Sequence, residues 1–353
     1  MQFKKTPKIR SFILKLMSFL RIIIDIKDMI IGMVIDKIRN KGKDADIRLA
    51  YVGYWEKHSN ITEQDWFVMY ITNITNKKVS VSWYKPNLII SSVFGNHLVL
   101  KFLLKILNTP SLFFSGENIS LDRYYPYRDY LKNLPSLALG CNDSPYAFRF
   151  PLWLNYIFTS KEIASASLED VKNKLKEIES NSFLNKGRFA AMIARHDGFG
   201  ISRTSIVQSL STIDLVSCAG KFLCNDDTLV EEFNDNKKAY LRNFIFNICP
   251  ENSSAPNYVT EKVFEAFEAG CIPVYWGDDT PEPDILNPKR IIFWQENSDN
   301  KANIQLIEGL YKDKKTREDF LKEPVFVEDA DKVIYNYFLM LRKEVTNLFN
   351  KGR

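Results

Sequence analysis

Histidine is nearly missing from this chain. There are three in 353 residues, His58, His97 and His196, and they are far apart. Cysteine is scarce too, at five: Cys141, Cys218, Cys224, Cys249 and Cys271. The nearest pair, Cys218 and Cys224, stand six apart, so no two have metal-ligand spacing. These gaps exclude zinc fingers and histidine-rich metal centres. An odd cysteine count points to buried, reduced thiols in a reducing compartment rather than to a disulfide framework. Long apolar runs are absent as well. Lys15, Arg21, Asp25, Lys27, Asp28 and Asp36 break the stretch from Phe12 to Ile38. Its longest uncharged piece, Met29 to Ile35, is far too short to span a bilayer. With its core interrupted and no cleavage site following, it also makes a poor secretory signal. There is no internal repeat, no low-complexity tract and no RNA-binding aromatic signature. The net charge of +5 is spread over 48 basic and 43 acidic residues, which argues against nucleic acid as a partner.

What remains is a globular composition, 45% hydrophobic and 26% charged, at a length that suits two domains. Residues 1–46 form a basic amphipathic leader, with Lys4, Lys5, Lys8, Arg10, Lys15 and Arg21 among Ile, Leu and Phe. Two readings stand open for it. It lies through residues 1–40 on an anionic membrane, or it packs as a helix on the protein itself. Five Asn-X-Ser/Thr triplets, at Asn60, Asn73, Asn118, Asn142 and Asn252, are read as a by-product of a chain rich in Asn and Ser.

Strand-like runs at Ile47–Trp55, Trp66–Ile71, Asn87–Ser92, Ser111–Gly116 and Ser136–Gly140 alternate with helical or loop segments such as His97–Leu107. This pattern predicts an α/β domain with a largely parallel sheet over residues 47–165. Residues 166–187 read as an interdomain segment built on a charged helix that Ser167 caps. A second α/β domain follows over 188–325. Its strands fall at Arg188–Ala194, Asp214–Ala219, Phe246–Cys249, Cys271–Trp276 and Arg290–Trp294. Its helices fall at Ser202–Ile213, Asp235–Phe244 and Thr260–Ala269. Residues 326–353 hold a long terminal helix, Ala330 to Asn350. Open α/β sheets bind ligands beyond the carboxyl ends of their strands, so the loops after Phe114, Ala194, Ala219 and Cys249 are the places to look.

The chemistry concentrates between Phe246 and Gly277. A strand ends in a polar loop, Cys249-Pro-Glu-Asn-Ser-Ser, and the loop runs into a helix with Thr260 as N-cap. Glu261 and Lys262 then occupy the first turn. A helix N-terminus with a lysine beside it suits a diphosphate, and Glu261 can accept from ribose or sugar hydroxyls. Gly270 ends the helix. A well-capped structural helix explains the same residues.

Asn247-Ile-Cys-Pro-Glu-Asn-Ser-Ser, Tyr258-Val-Thr-Glu-Lys and Ala269-Gly-Cys-Ile-Pro-Val-Tyr-Trp-Gly277, in one continuous order, resemble the donor-binding motif of the α-1,3/4-fucosyltransferases, glycosyltransferase family 10, of the bacterial type. The family often has Lys where this chain has Ile245, and Phe or Tyr where it has Pro250. The resemblance implies a GT-B fold, with two Rossmann-like domains facing a central cleft. It implies GDP-fucose as donor, bound by Asn247, Glu251, Asn252, Tyr258, Glu261 and Lys262. Phe113-Phe-Ser-Gly-Glu-Asn118 resembles the segment that carries the family's catalytic carboxylate, which makes Glu117 the base. Arg188 to Arg203, then Val216-Ser-Cys-Ala-Gly-Lys221, resembles the start of the donor domain. There Arg203 is the candidate for the phosphate, with Arg195 competing, and Lys221 falls where the family often has Arg or Lys.

The expected reaction is an inverting transfer of L-fucose from GDP-fucose to a hydroxyl of a glycan acceptor. The acceptor is expected to be GlcNAc of an N-acetyllactosamine-type or surface-polysaccharide glycan, and the linkage α-1,3 or α-1,4. Glu117 takes the acceptor proton, while Lys262, Arg203 and the helix N-terminus stabilise the leaving GDP. No metal or other cofactor is then required. The Asp-X-Asp matches at Asp44–Asp46 and Asp329–Asp331 sit in polar linkers and are set aside. The expected location is cytoplasmic, with peripheral contact to the inner membrane face. The rival readings are a GT-B transferase with another nucleotide sugar, separated by a donor comparison, and a non-catalytic glycan- or membrane-binding protein, which GDP would not stabilise.

Overall fold

Two parallel sheets organise the chain. In a computed structural model the protein is described over residues 7–350, apart from 40, 125–126, 128–130, 133–134, 141–145, 184–185 and 198–199. Cys141 and the triplet at Asn142 lie outside the described residues, as do Lys4 and Lys5 and the side chains of Lys8, Arg10, Lys15 and Arg21. The chain divides into two compact units. One holds residues 1–140, 144–149 and 341–353, and the other 141–143 and 150–340.

The first unit carries strands β1 (Ile47–Val52), β2 (Val79–Val81), β3 (Leu88–Ser91), β4 (Ser111–Ser115), β5 (Leu137–Gly140) and β6 (Phe148–Arg149). They form one sheet in the order β2-β1-β3-β4-β5-β6, every pair parallel. Every residue of β3, β4 and β5 is buried, as a sheet covered on both faces demands. The second unit carries β7 (Arg188–Met192), β8 (Val216–Cys218), β9 (Phe244–Ile248), β10 (Ile272–Tyr275) and β11 (Ile292–Phe293). Its order is β11-β10-β9-β7-β8, again all parallel. Both units are Rossmann-like, as expected.

One expected strand is a helix. Trp66–Ile71 lies in the helix Trp66–Thr75. Asp65 Oδ1 accepts from Phe67 N at 3.0 Å and from Val68 N at 3.3 Å, and Asn76 ends the helix in the left-handed region. Phe67, Val68, Tyr70 and Ile71 are buried, a helical spacing within an apolar run too short to decide by itself. Sequence reading also passed over β2, β6 and the helices Lys301–Lys312 and Lys314–Leu321. It placed the helix Ala330–Asn350 at its observed bounds, and the segment His97–Leu107, read as helix or loop, is a helix. Ser167 does cap the helix Leu168–Asn181, in a capping box with Asp170.

The leader is a helix, Pro7–Ile38, with one face on the protein. Met29 packs in a cluster with Ala50 of β1, Ile89 of β3, and Val99 and Leu103 of the His97–Leu107 helix. Asp36 Oδ2 accepts from the buried Trp83 N at 2.7 Å. Gly32 faces the same tryptophan so closely that a Cβ there would stand 2.7 Å from Trp83 Cδ1. Among the described cysteines, Cys218, Cys249 and Cys271 are buried, Cys224 is exposed, and all four are free thiols.

The helix Glu261–Glu268 ends in a Schellman turn. Cys271 N donates to Ala266 O and Gly270 N to Phe267 O, both at 2.8 Å. Gly270 has φ +75°, and a Cβ there would stand 2.0 Å from Asn181 O. A side chain meets both a disfavoured backbone and a fixed carbonyl. Gly270→Ala is therefore expected to lower unfolding stability by at least about 2 kcal/mol, read as a shift in the urea midpoint at constant m-value.

Candidate active site

In the second unit, β9 ends at Ile248 and β10 runs beside it, with Ile272 opposite Phe246. The loop from Pro250 to Val259 is tied down to the end of β10. Glu251 N donates to Trp276 O at 2.7 Å, Ser254 Oγ to Gly277 O at 2.6 Å, and Asn257 N to Asp278 Oδ2 at 2.6 Å. Gly277 is where this clamp is tightest, since a Cβ would lie 2.4 Å from Tyr275 OH and 2.8 Å from Glu251 Cγ.

The clamp leaves Glu251 with no exposed surface. Its Oε1 accepts from Thr260 N at 2.7 Å. Its Oε2 accepts from Thr260 Oγ1 at 2.6 Å and from Lys262 Nζ at 2.9 Å. Lys262 Nζ also donates to Thr260 Oγ1 at 2.7 Å and stands 3.6 Å from Glu261 Oε1. Thr260 does occupy the cap position, but its hydroxyl is spent on Glu251 and does not cap. Burial by itself would pull the Lys262 ammonium down. Glu251 and Glu261 outweigh it, and the pKa is raised above the ordinary lysine value. Glu261 moves the other way: burial pushes its carboxyl up, Lys262 pulls it down further, and it ends below the ordinary carboxylate range.

Arg203 opens the helix Arg203–Leu210 after β7 and is buried, 4% exposed. Asp197 Oδ1 accepts from Arg203 N at 2.7 Å. The guanidinium donates to His196 O at 2.8 Å, to Pro250 O at 3.3 Å and to Asn252 Oδ1 at 2.9 Å. Burial lowers its pKa, while Glu251 and Asp197 draw it back, and a guanidinium so placed stays cationic.

These pieces line one narrow cleft at the carboxyl ends of β7 and β9. Arg203, Asn247, Glu261 and Lys262 are among its walls. Lys237 and Glu265 line it too, 3.5 Å apart, and sequence reading missed both. The signal was faint: Glu265 falls four residues after Glu261 on the same helix, hence on the same face. The other expected donor residues stand differently. Glu251 and Tyr258 are buried, Asn252 is held by Arg203, and Lys221 and Arg195 are exposed in the loops after β8 and β7.

Glu117 belongs to the other unit. It follows β4 directly and is half-buried. Its backbone N donates to Ser115 Oγ at 3.1 Å, and Tyr124 OH donates to its Oε2 at 3.4 Å. At the same strand ends Trp55 sets its ring 5.3 Å from Phe94 and 5.6 Å from Phe114, an aromatic group that sequence reading did not single out.

Residues 183–322, which hold the whole cleft, match the family described as Glycosyltransferase family 10 (fucosyltransferase) C-term. The chain is similar to the family 10 fucosyltransferases. The curated Alpha-(1,3)-fucosyltransferase FucT of Helicobacter pylori is 26% identical over 308 residues, 82% of this chain and 62% of that protein. The chain thus spans about three-fifths of that relative's length. A crystal structure of an alpha1,3-fucosyltransferase is 21% identical, with a TM-score of 0.57 over 84% of this chain and 90% of that one. A crystal structure of alpha1,3-fucosyltransferase with GDP-fucose has 21% identity, the same coverage and a TM-score of 0.55. At that identity the likeness is one of fold, and the fold is that of a fucosyltransferase of GT-B type.

Glu265 gives a pH signature. Burial, with Glu261 adding to it, pushes its carboxyl up from 4.5 to about 7 despite Lys237. A carboxyl with a raised pKa lends stability below its unfolded value and loses it as pH climbs through the folded one. Glu265→Gln should therefore gain stability over wild type between pH 5 and pH 8, to roughly 1–3 kcal/mol, measured by denaturant melts across that range.

Proposed function

We propose that the protein is an inverting fucosyltransferase that moves L-fucose from GDP-fucose to a hydroxyl of a glycan acceptor. One observation carries this reading. The cleft gathers Arg203, Lys262 and the N-terminal turn of the Glu261–Glu268 helix within the family-matched segment. That arrangement suits the diphosphate of a nucleotide sugar. Lys262, kept charged by Glu251 and Glu261, stabilises the GDP that leaves, and Arg203 shares the task. Glu261 accepts from ribose or sugar hydroxyls, and Asn247 lies against the same space. Glu251, Asn252 and Tyr258 serve by holding the loop and its cations. Lys221 and Arg195 are exposed in the loops after β8 and β7 and do not line that cleft.

Glu117 takes the proton of the acceptor hydroxyl. Its support is its place just past a parallel strand of a doubly covered sheet, where such folds put their reacting groups. Attack from the face opposite GDP inverts the anomeric centre, so a β-linked donor yields an α-linked product. The acceptor in this reading is GlcNAc of an N-acetyllactosamine-type or surface-polysaccharide glycan, joined α-1,3 or α-1,4.

The test is GDP release and product mass with GDP-fucose and a panel of galactose- and GlcNAc-containing acceptors. Acceptor-dependent release with a product heavier by one fucose is expected. No release from any acceptor, and no thermal stabilisation by GDP, would sink the reading. Lys262→Ala should lower kcat/KM for GDP-fucose about 10²-fold. Glu117→Gln should lower kcat by about 10²–10⁴ while GDP still binds, and full turnover would remove Glu117 from the base role. Because protein cations carry the charge here, turnover should survive EDTA. Its loss on chelation and return with Mg²⁺ or Mn²⁺ would overturn that point.

A further inference from the structure

Half of the large hydrophobic side chains exposed among the described residues sit on two helices of the first unit. On the Pro7–Ile38 helix, Ile23, Ile24, Ile30, Ile31, Val34 and Ile38 are exposed, Ile38 at 74%. Their spacing puts them on one stripe, opposite the face that Met29 buries. On the neighbouring His97–Leu107 helix, Leu98, Phe102 and Ile106 recur every four residues, with Phe102 53% and Ile106 60% exposed. The two helices share a core cluster with Ala50 of β1 and Ile89 of β3. They therefore cover the same face of the sheet, and both stripes lie on the outer side of that layer. Isolated exposed leucines are ordinary, but apolar stripes on two helices that share a core cluster are not.

Charge says what covers it. Lys27 falls inside the first stripe, and Lys101 and Lys105 flank the second. The His97–Leu107 helix has no acidic residue. Residues 1–24 carry Lys4, Lys5, Lys8, Arg10, Lys15 and Arg21 and no Asp or Glu. Among the described residues no helix is long and apolar enough to cross a membrane. Apolar rows edged by lysine match a bilayer with anionic headgroups: the aliphatic side chains enter the acyl boundary while the ammonium groups reach the phosphates.

We propose that this two-helix face of the first unit is an in-plane docking surface for an anionic lipid bilayer. The surface is not confined to the basic leader, since the His97–Leu107 helix supplies part of it. It rests on exposed apolar side chains and not on the transfer reaction, so it stands or falls apart from that reading.

The test is co-sedimentation of the full chain with vesicles of phosphatidylcholine, with and without phosphatidylglycerol. Light scattering without lipid runs in parallel. Binding to the anionic vesicles and a monomer in their absence are expected. Phe102→Ser/Ile106→Ser should weaken vesicle binding about tenfold or more with the thermal melt unchanged, and Ile31→Ser/Val34→Ser should do the same. The proposal is overturned if neither pair alters binding, which would leave only the leader's charges at work. It is equally overturned if the chain ignores the vesicles, or if light scattering shows a dimer that these substitutions dissociate, which would make a second copy the occupant.

Discussion

Glu251 is a carboxylate with no exposed surface, and the second unit's cleft is arranged around it. An ionised carboxylate stripped of water costs several kcal/mol unless cations and donors surround it. Here Thr260 supplies two donors and Lys262 a third. The carboxylate thereby fixes where the Glu261–Glu268 helix begins and where its first lysine points. Clamping from the end of β10 keeps water out and brings Gly277 against Glu251. Strand end, loop and helix start thus depend on one buried ionic group, and removing Glu251 would take from the buried Thr260 N the acceptor it has here.

This arrangement divides labour among residues that look alike in sequence. Glu251, Glu261 and Glu265 lie within fifteen residues of one another. One is sealed and structural, one is paired to Lys262 and lines the cleft, and one is pushed toward neutrality beside Lys237. Arg203 is also more than a surface cation. It ties His196 O, Pro250 O and Asn252 together, joining the loops after β7 and β9. The cleft's positive charge is therefore held in place before any ligand arrives, which lowers the reorganisation a diphosphate would have to bring about.

The first unit shows a different constraint. Its sheet is covered by helices that are apolar on more than one side. The Pro7–Ile38 helix uses Met29, Gly32 and Asp36 to reach the sheet and Trp83, and leaves a row of isoleucines outside. Composition averages hide such a row, since charged residues interrupt the run in sequence while the helix lines the apolar ones up in space.

By itself the sequence determined the alternation of strands and helices, the parallel sheets, most element positions and a segment that proves to line the cleft. These follow from periodicity, from capping residues such as Ser167, and from a motif continuous along the chain. It misassigned Trp66–Ile71 because a short apolar run reads alike in strand and helix. The Asp65 cap, whose meaning depends on two backbone donors, decided the matter. Tertiary structure alone sealed Glu251, set Lys237 and Glu265 into the cleft wall, and left Tyr258 buried. Whether a carboxylate faces solvent or a lysine depends on residues brought together from β9, β10 and the loops between them. Residue type and spacing carry no information about that distance.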